Sequence, residues 1–358
     1  MPTTYAIPDG RTVMAATLYT GTGATQSISN AVNGVSFQPD LVWAKLRSTT
    51  GQHVLYDSVR TAGYAVGSSN TSAESYASDS LTSFNSNGFS LGVNSSNPAG
   101  APQQNNINGS TYTYVGWQWK AGTTSSSNTN GSITSTVSVG ATQGFSVVTA
   151  TSPASAGTVG HGLGVTPNMI IFKDRTNGSN YWLVWHSSFA SATQGYMVLN
   201  TTAAYSTSVN AWNNTAPTST TFSTPVVGTG PLNSGDTFVA YCFAAVAGYS
   251  AFGSYTGNGS TDGTFVYLGF RPRFIMVKDT TNAATDWVIF NTSSEPYNVV
   301  GTALYANSTN AESTNAATWC DILSNGFKNR RAGSANTSGA TIIYAAFAEN
   351  PFKYANAR

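Results

Sequence analysis

Charged residues are scarce in this sequence, at 8% of its 358 positions against roughly 25% in a typical soluble domain. The 15 basic and 14 acidic side chains give a formal net charge of +1. They form no basic stripe, so we expect no nucleic-acid partner. Long apolar runs are missing too, because none reaches the roughly 18 residues of a membrane-spanning helix. We therefore expect no insertion into a membrane.

Cysteine is almost absent, and the two that occur are Cys242 and Cys320. They fall in different repeats, and their scarcity favours two buried free thiols over a disulfide. The N-terminal stretch MPTTYAIPDGRTV has no basic segment followed by an apolar one. We expect no secretory signal, and hence synthesis in a cytoplasm.

Residue clusters that would indicate catalysis or a bound metal are also missing. The three histidines lie in unrelated contexts, and no H-x-x-x-H or C-x-x-C pattern occurs, so we expect neither a transition metal nor another cofactor. Paired carboxylates could serve a glycosidase, but two of the acids occupy the same AES motif in different repeats, which favours a bracing role. We expect no catalytic residue and no enzyme. The acids considered are Asp57, Glu74, Asp79, Glu295 and Glu312.

One loop leaves calcium binding open. The sequence NGSTDG, residues 258–263, supplies side-chain and backbone oxygens in a tight turn, which are the ligands that calcium prefers. The corresponding TGATQS stretch near the N-terminus lacks the aspartate.

The sequence is rich in Gly, Ser, Thr and Asn, together with 12% aromatic residues and many β-branched ones. This mixture is typical of short β-strands joined by tight turns. Helix is disfavoured, because Glu, Lys, Arg and Leu are rare. We predict an all-β protein.

Three segments share one pattern: FQPDLVWAKLR, VTPNMIIFKDR and FRPRFIMVKDT. In each, a lysine follows a proline by six positions, across a run of apolar residues. The runs are short and do not alternate, which predicts strands buried on both faces. The three lysines should occupy equivalent strand ends and serve structure, with their stems covering apolar surface and their ammonium groups reaching water. They are Lys45, Lys173 and Lys278.

The spacing of these segments predicts the domain organisation. The prolines are 128 and 105 residues apart, too far for solenoid or propeller repeats, whose period is about 20–50 residues. A repeat of roughly 100 residues fits a β-sandwich. We predict tandem antiparallel, jelly-roll-like β-sandwich domains at residues 1–122, 131–247 and 248–358, with a Gly/Ser/Thr/Asn linker at 123–130.

Two polar loops, residues 97–110 and 201–221, are the best candidates for contact with a partner. A tryptophan in the polar stretch VNAWNNTAPTS is predicted to be exposed. Amides beside an aromatic ring suit a glycan, because the ring stacks on sugar C–H groups while the amides meet hydroxyls. The candidate contact residues are Tyr205, Trp212, Asn213, Asn214, Gln103 and Gln104.

Several segments together resemble a domain family of tailed-bacteriophage structural proteins: FQPDLVWAKLRS, HVLYDSVR, SFNSNGFSLG, YVGWQWKAG, ILSNGF and AAFAENPFKYANAR. The likeness covers nearly the whole chain and is weaker for the second repeat, which lacks SNGF. It implies concanavalin- or laminin-G-like jelly rolls and a virion component such as a tail fibre, tail-tip or head-decorating protein. It implies no catalytic residues.

Three functions remain open from the sequence. The favoured one is a non-enzymatic virion surface protein, made in the host cytoplasm, that acts in a tail fibre or tail tip and contacts the host surface or its glycans. The second is a capsid decoration protein, and the third is a carbohydrate-binding module or a glycan-active enzyme. The expected partners are other virion proteins, further copies of the chain (a trimer above all) and a host glycan or receptor.

Overall fold

The computed structural model describes residues 5–93, 107–313 and 319–350. They form 27 β-strands and one short 3₁₀ helix, Gly10–Thr12. Every pair of neighbouring strands runs antiparallel, which confirms the predicted all-β, antiparallel sandwich fold. Within the described residues no helix is long and apolar enough to cross a membrane.

Unit 1 has a six-stranded sheet in the order β1-β9-β3-β4-β5-β6 and a three-stranded sheet in the order β2-β8-β7. Its strands are β1 (Met14–Thr20), β2 (Gln26–Ser29), β3 (Leu41–Leu46), β4 (His53–Asp57), β5 (Tyr64–Gly67), β6 (Ser75–Tyr76), β7 (Leu81–Asn85), β8 (Gly88–Leu91) and β9 (Thr113–Trp119).

Unit 2 has an eight-stranded sheet, β10-β11-β12-β19-β14-β15-β16-β17, and a two-stranded one, β13-β18. Part of the predicted linker forms β10, so that segment contributes a strand to this sheet. The strands are β10 (Ser126–Asn128), β11 (Ser135–Gly140), β12 (Phe145–Thr151), β13 (Thr158–Gly160), β14 (Met169–Asp174), β15 (Leu183–His186), β16 (Gly195–Val198), β17 (Ser206–Thr207), β18 (Thr221–Ser223) and β19 (Thr237–Phe243).

Unit 3 has a five-stranded sheet, β20-β27-β22-β23-β24, and a three-stranded sheet, β21-β26-β25. Its strands are β20 (Ser250–Thr256), β21 (Phe265–Tyr267), β22 (Arg271–Asp279), β23 (Val288–Asn291), β24 (Leu304–Tyr305), β25 (Cys320–Leu323), β26 (Gly326–Asn329) and β27 (Thr341–Asn350).

The large sheets share one strand order and one register. The series β1-β9-β3-β4-β5, β12-β19-β14-β15-β16 and β20-β27-β22-β23-β24 correspond strand for strand. Lys45 pairs with Val115, and the other two lysines occupy the same register positions in β14 and β22. The predicted equivalence of the three lysines is therefore confirmed.

The central strands of the large sheets, such as β3 and β14, are buried on both faces, as their non-alternating apolar runs predict. One face of the unit 1 sheet packs on its small sheet, with Val42 against Phe89 and Leu91 in one apolar cluster, and unit 2 is built in the same way. The other faces of all three large sheets meet in a common core. The three units are thus fused around this common core, while units 1 and 2 each keep a second apolar cluster between their own large and small sheets.

The centre of the common core is built from equivalent residues. Trp119, Phe243 and Phe347 come from β9, β19 and β27 and contact one another, with ring centroids 6.2, 5.6 and 5.7 Å apart. All three are at least 95% buried. The arrangement is that of a pseudo-threefold assembly made within one chain, around an entirely apolar cavity of about 20 Å³.

Candidate functional site

The structure separates the predicted contact residues. Trp212 is 1% exposed, and its Nε1 donates to the Gly195 carbonyl at 3.0 Å, so the prediction that it is exposed is wrong. Its neighbours Asn213 and Asn214 are exposed, at φ values of 48° and 49°. The backbone at these two asparagines turns the polar loop toward solvent. The Trp212 ring packs into the unit 2 core. Gln103 and Gln104 lie outside the described residues.

Tyr205 is half-buried at the interface between units 2 and 3. Its backbone N–H donates to the Thr280 carbonyl at 2.9 Å. The equivalent backbone hydrogen bond runs from the Glu74 N–H to the Arg175 carbonyl at 2.8 Å. A third runs from the Glu312 N–H to the Arg47 carbonyl at 2.9 Å. Tyr205 therefore occupies the position that the AES glutamate holds in the other two units, and each such residue ties one unit to the next.

The carboxylates considered for catalysis serve these interfaces. Arg60 donates to Asp57 at 2.5 Å and to Glu74 at 2.8 Å, while Arg175 of unit 2 reaches Glu74 at 2.7 Å. The side chains of Arg60 and Asp57 are fully buried. Asp57 also accepts a hydrogen bond from the Tyr241 hydroxyl at 2.9 Å. These acids are thus held by cations inside an interface and do not line a cleft.

Two further acids are also engaged. Glu312 pairs with Arg47 at 2.6 Å across the interface between units 3 and 1. Glu295 accepts from the backbone N–H groups of Gly301 and Thr302. Glu312 is therefore paired with a cation, and Glu295 accepts hydrogen bonds from the N–H groups of a backbone turn.

All three histidines are buried. His186 Nε2 lies 3.2 Å from the Tyr344 carbonyl of unit 3, and burial lowers its pKa to about 4. Burial also lowers the pKa of His161, whose Nδ1 accepts from the Leu163 N–H. His53 stands where units 2 and 3 have interface tryptophans, and its pKa is lowered well below the ordinary value by burial and then by Lys45. The histidines are neutral structural groups.

In the loop considered for calcium, the side-chain oxygens of Asp262 and Asn258 form an ion pair and hydrogen bonds with other groups of the protein. The Asp262 carboxylate pairs with Lys328 at 2.6 Å, and the Asn258 Oδ1 accepts from the Ser260 N–H and from Asn336. Residues 5–93, 107–313 and 319–350 contain no group of three or more His, Cys, Asp or Glu side chains placed to hold a metal ion.

The three lysines differ from expectation in one respect. They are at most 1% exposed, so the prediction that their ammonium groups reach water is wrong. Lys45 Nζ donates to the carbonyls of Leu46, Gly51 and Thr309, the last of which belongs to unit 3. Lys173 Nζ likewise reaches Thr71 of unit 1 at 2.9 Å. A loop of the neighbouring unit covers each of these two lysines, which sequence spacing alone does not reveal.

Burial of the lysines predicts that stability rises with pH. It lowers the pKa of Lys45 to about 7, and those of Lys173 and Lys278 to about 8. Above these values the unfolded chain, whose lysines titrate near 10.4, binds more protons than the folded one, so the unfolding free energy should increase with pH. Between about pH 7 and 8, below the ordinary cysteine pKa of about 8.5, we expect an increase of about 1 kcal/mol or more in urea titrations. A flat profile would show that the carbonyls hold the ammonium groups charged.

A cleft of about 400 Å³ opens between unit 3 and unit 1. One wall is β1, from Met14 to Leu18, and the opposite wall comes from β22 and the turn after β23. The Thr292 Oγ1 is buried in that wall and has no hydrogen-bond partner among the described residues. The partly exposed side chains of Leu18 and Val32 contribute apolar surface to the cleft.

The cleft carries an excess of positive charge. Arg11 pairs with Asp9 at 2.7 Å, while Arg271 and Arg273 share Glu349 at 2.8 and 3.4 Å. Three arginines thus share two acids in this cluster, and Arg11 and Arg273 line the cleft itself. Burial lowers the pKa of Arg273, Glu349 raises it, and Arg11 and Arg271 lower it further, which indicates that Arg273 is incompletely compensated. An anionic group is the natural ligand for such a wall.

Sequence reasoning missed this cleft, although a signal was present. The residue after each repeat proline is Asp40 in unit 1, Asn168 in unit 2 and Arg273 in unit 3. A position that changes charge between otherwise similar strands is a candidate for a contact that only one unit makes.

Comparison with known proteins adds a family and no activity. No curated protein matches the sequence. A family described as a domain of unknown function (DUF7483) matches residues 9–351, nearly the whole chain. The chain belongs to the DUF7483 family of domains of unknown function.

Proposed function

We propose that the protein is a non-enzymatic surface protein of a bacteriophage virion, located in the tail fibre or tail tip and engaged in host attachment. The virion context rests on the sequence resemblance to tailed-phage structural proteins. The non-enzymatic part is supported by one observation: Asp57, Glu74, Glu295 and Glu312 are bound to arginines or backbone N–H groups within the fold, and the histidines are buried. Carboxylates engaged in this way are poorly placed to exchange protons with a sugar, which supports the proposal.

Contact with the host is proposed for the loop around Asn213 and Asn214. Their amides are exposed on a turn that the buried Trp212 anchors, and uncharged amides suit sugar hydroxyls. The homotrimer stays a prediction. Because three sandwich units already surround one core, a single chain also fits a threefold position on a particle.

Labelling of intact particles tests the location. We expect gold-conjugated antibodies against the protein to decorate tails, and particles carrying Asn213→Gly with Asn214→Gly to adsorb less well to host cells. Glycine keeps the positive φ of both positions, so the fold should persist and only the amides are lost. Gold on heads with normal adsorption would favour the decoration function, and unlabelled particles would contradict the virion assignment.

A further inference from the structure

Among the residues that the structure describes, the edge strand β1 lacks the neighbour that its counterpart in unit 2 has. In unit 2, β12 pairs on one side with β19 and on the other with β11. In unit 1, β1 pairs with β9 and is terminal in its sheet among the described residues. The third counterpart, β20, is also terminal, but Val246 bridges back to Ser250 there.

The open side of β1 presents its backbone to the cleft. Lys120 N donates to the Val13 carbonyl, and Gly21 N donates to the Tyr112 carbonyl. In an antiparallel ladder, hydrogen-bonded and non-bonded pairs alternate. Because Val13 and Gly21 are bonded on the β9 side, the even-numbered residues of β1 direct their N–H and C=O groups away from β9. The Ala16 carbonyl confirms this direction, because it accepts from Ser293 Oγ of unit 3 at 2.6 Å. Leu18 has the same direction and lies at the mouth of the cleft.

The structure of unit 2 shows what fits this place. By register, Ala16 corresponds to Val147, whose partner in β11 is Ser138. The Ser138 hydroxyl donates to Asp40 at 2.8 Å, across the interface between units 1 and 2. Asp40 and Arg273 both follow the repeat proline. A strand added to β1 in the register of β11 would therefore direct its residue opposite Ala16 toward Arg273.

We propose that the free edge of β1 binds an extended segment of another virion protein by antiparallel strand addition, with a carboxylate on that segment placed against Arg273. This rests on the proposed virion function for the source of the partner. The cleft then acts as a peptide groove. Backbone hydrogen bonds supply affinity, and the arginine wall selects an acidic residue flanked by small apolar ones, as Val137 and Val139 flank Ser138. The alanines of β1 leave room for this segment.

A peptide with the sequence of β11 and its flanks provides the probe. The labelled decapeptide SITSTVSVGA corresponds to residues 132–141, and the acidic version carries Ser138→Glu. We expect fluorescence anisotropy to show that the full-length protein binds the acidic peptide about tenfold more tightly than the serine version or one carrying Ser138→Lys. Hydrogen exchange should show added protection at Leu18. Equal binding of the three peptides, or no binding, would overturn the proposal.

Two variants separate charge recognition from strand addition. Arg273→Asn, which introduces the residue that unit 2 has at this position, should reduce affinity for the acidic peptide about tenfold. Leu18→Pro removes one outward N–H while leaving the β9 ladder intact, and should weaken all three peptides. Should Leu18→Pro fail to fold, the acidic peptide N-methylated on its bonding edge gives the same test. Undiminished binding of that peptide would refute strand addition.

The probe experiment and the particle experiment fail independently. If the purified protein binds the acidic peptide but the antibodies do not label virions, the peptide groove is supported and the virion assignment is wrong. If the protein instead forms a dimer that the peptide does not dissociate, and β1 is protected in that dimer, a second copy occupies the edge and the partner assignment is wrong.

Discussion

Replacing Trp119 with alanine is expected to lower the unfolding free energy by about 3–5 kcal/mol, the usual cost of removing a large aromatic side chain from a packed core. Trp119 is 2% exposed and contacts a phenylalanine from each of the other units. Because the three units share this core, the loss should appear in one cooperative transition of the whole chain. Urea unfolding followed by far-UV circular dichroism measures both quantities.

Matched controls define the cause of this effect. Trp119→Phe introduces the residue that the other two units have at this position, and should cost less than half as much, since most ring contacts remain. Tyr297→Ala removes a side chain that is 82% exposed and should change stability by about 0.5 kcal/mol or less. Separate transitions, with only one shifted by Trp119→Ala, would show that the units fold independently and would contradict the fused core.

The fold class and the repeat could be predicted from the sequence because both are properties of local pattern. Short apolar runs ending in lysine, as in Met169–Asp174, contain enough information to identify a strand buried on two faces. The register then follows from aligning the prolines. Nothing in these runs states that the three sheets turn their inner faces toward one another, since the partner of each inner face lies more than 100 residues away.

The errors have a common physical origin. Trp212 has polar sequence neighbours, and Lys45 ends an apolar run, so the local pattern predicts that both meet solvent. In each case groups distant in sequence cover the side chain: Gly195 accepts from Trp212, and Thr309 accepts from Lys45. The cleft escapes prediction for the converse reason, because it exists only where unit 3 meets the uncovered edge of unit 1.

Replacing Arg60 with methionine is expected to destabilise the protein by about 3–5 kcal/mol, since it leaves the buried Asp57 carboxylate without its cation, while Glu74 keeps Arg175. Although burial acts to lower it, the carboxylates of Asp57 and Glu74 raise the pKa of Arg60 above its ordinary value, so the guanidinium is charged throughout the accessible range. Methionine has a similar length but no charge. The comparison is Lys328→Met, whose partner Asp262 is 79% exposed, and which should cost far less because exposed ion pairs contribute little to stability.

The pH dependence identifies the mechanism of that loss. In the wild type, Arg175 and Arg60 outweigh burial and lower the pKa of Glu74, so the unfolded chain binds protons first and stability decreases as the pH falls through the acid range. In Arg60→Met, the buried Asp57 carboxylate loses its paired cation, and burial of an unpaired charge favours the neutral acid. The folded variant then binds this one proton first, so the loss of stability caused by Arg60→Met should become smaller as the pH falls from about 7 to 5, while the buried neutral histidines destabilise both proteins equally over this range. Parallel urea titrations of both proteins at several pH values test whether the two stability profiles converge in this way. If the two profiles run parallel, the cost of Arg60→Met comes from lost packing, and the network does not depend on charge.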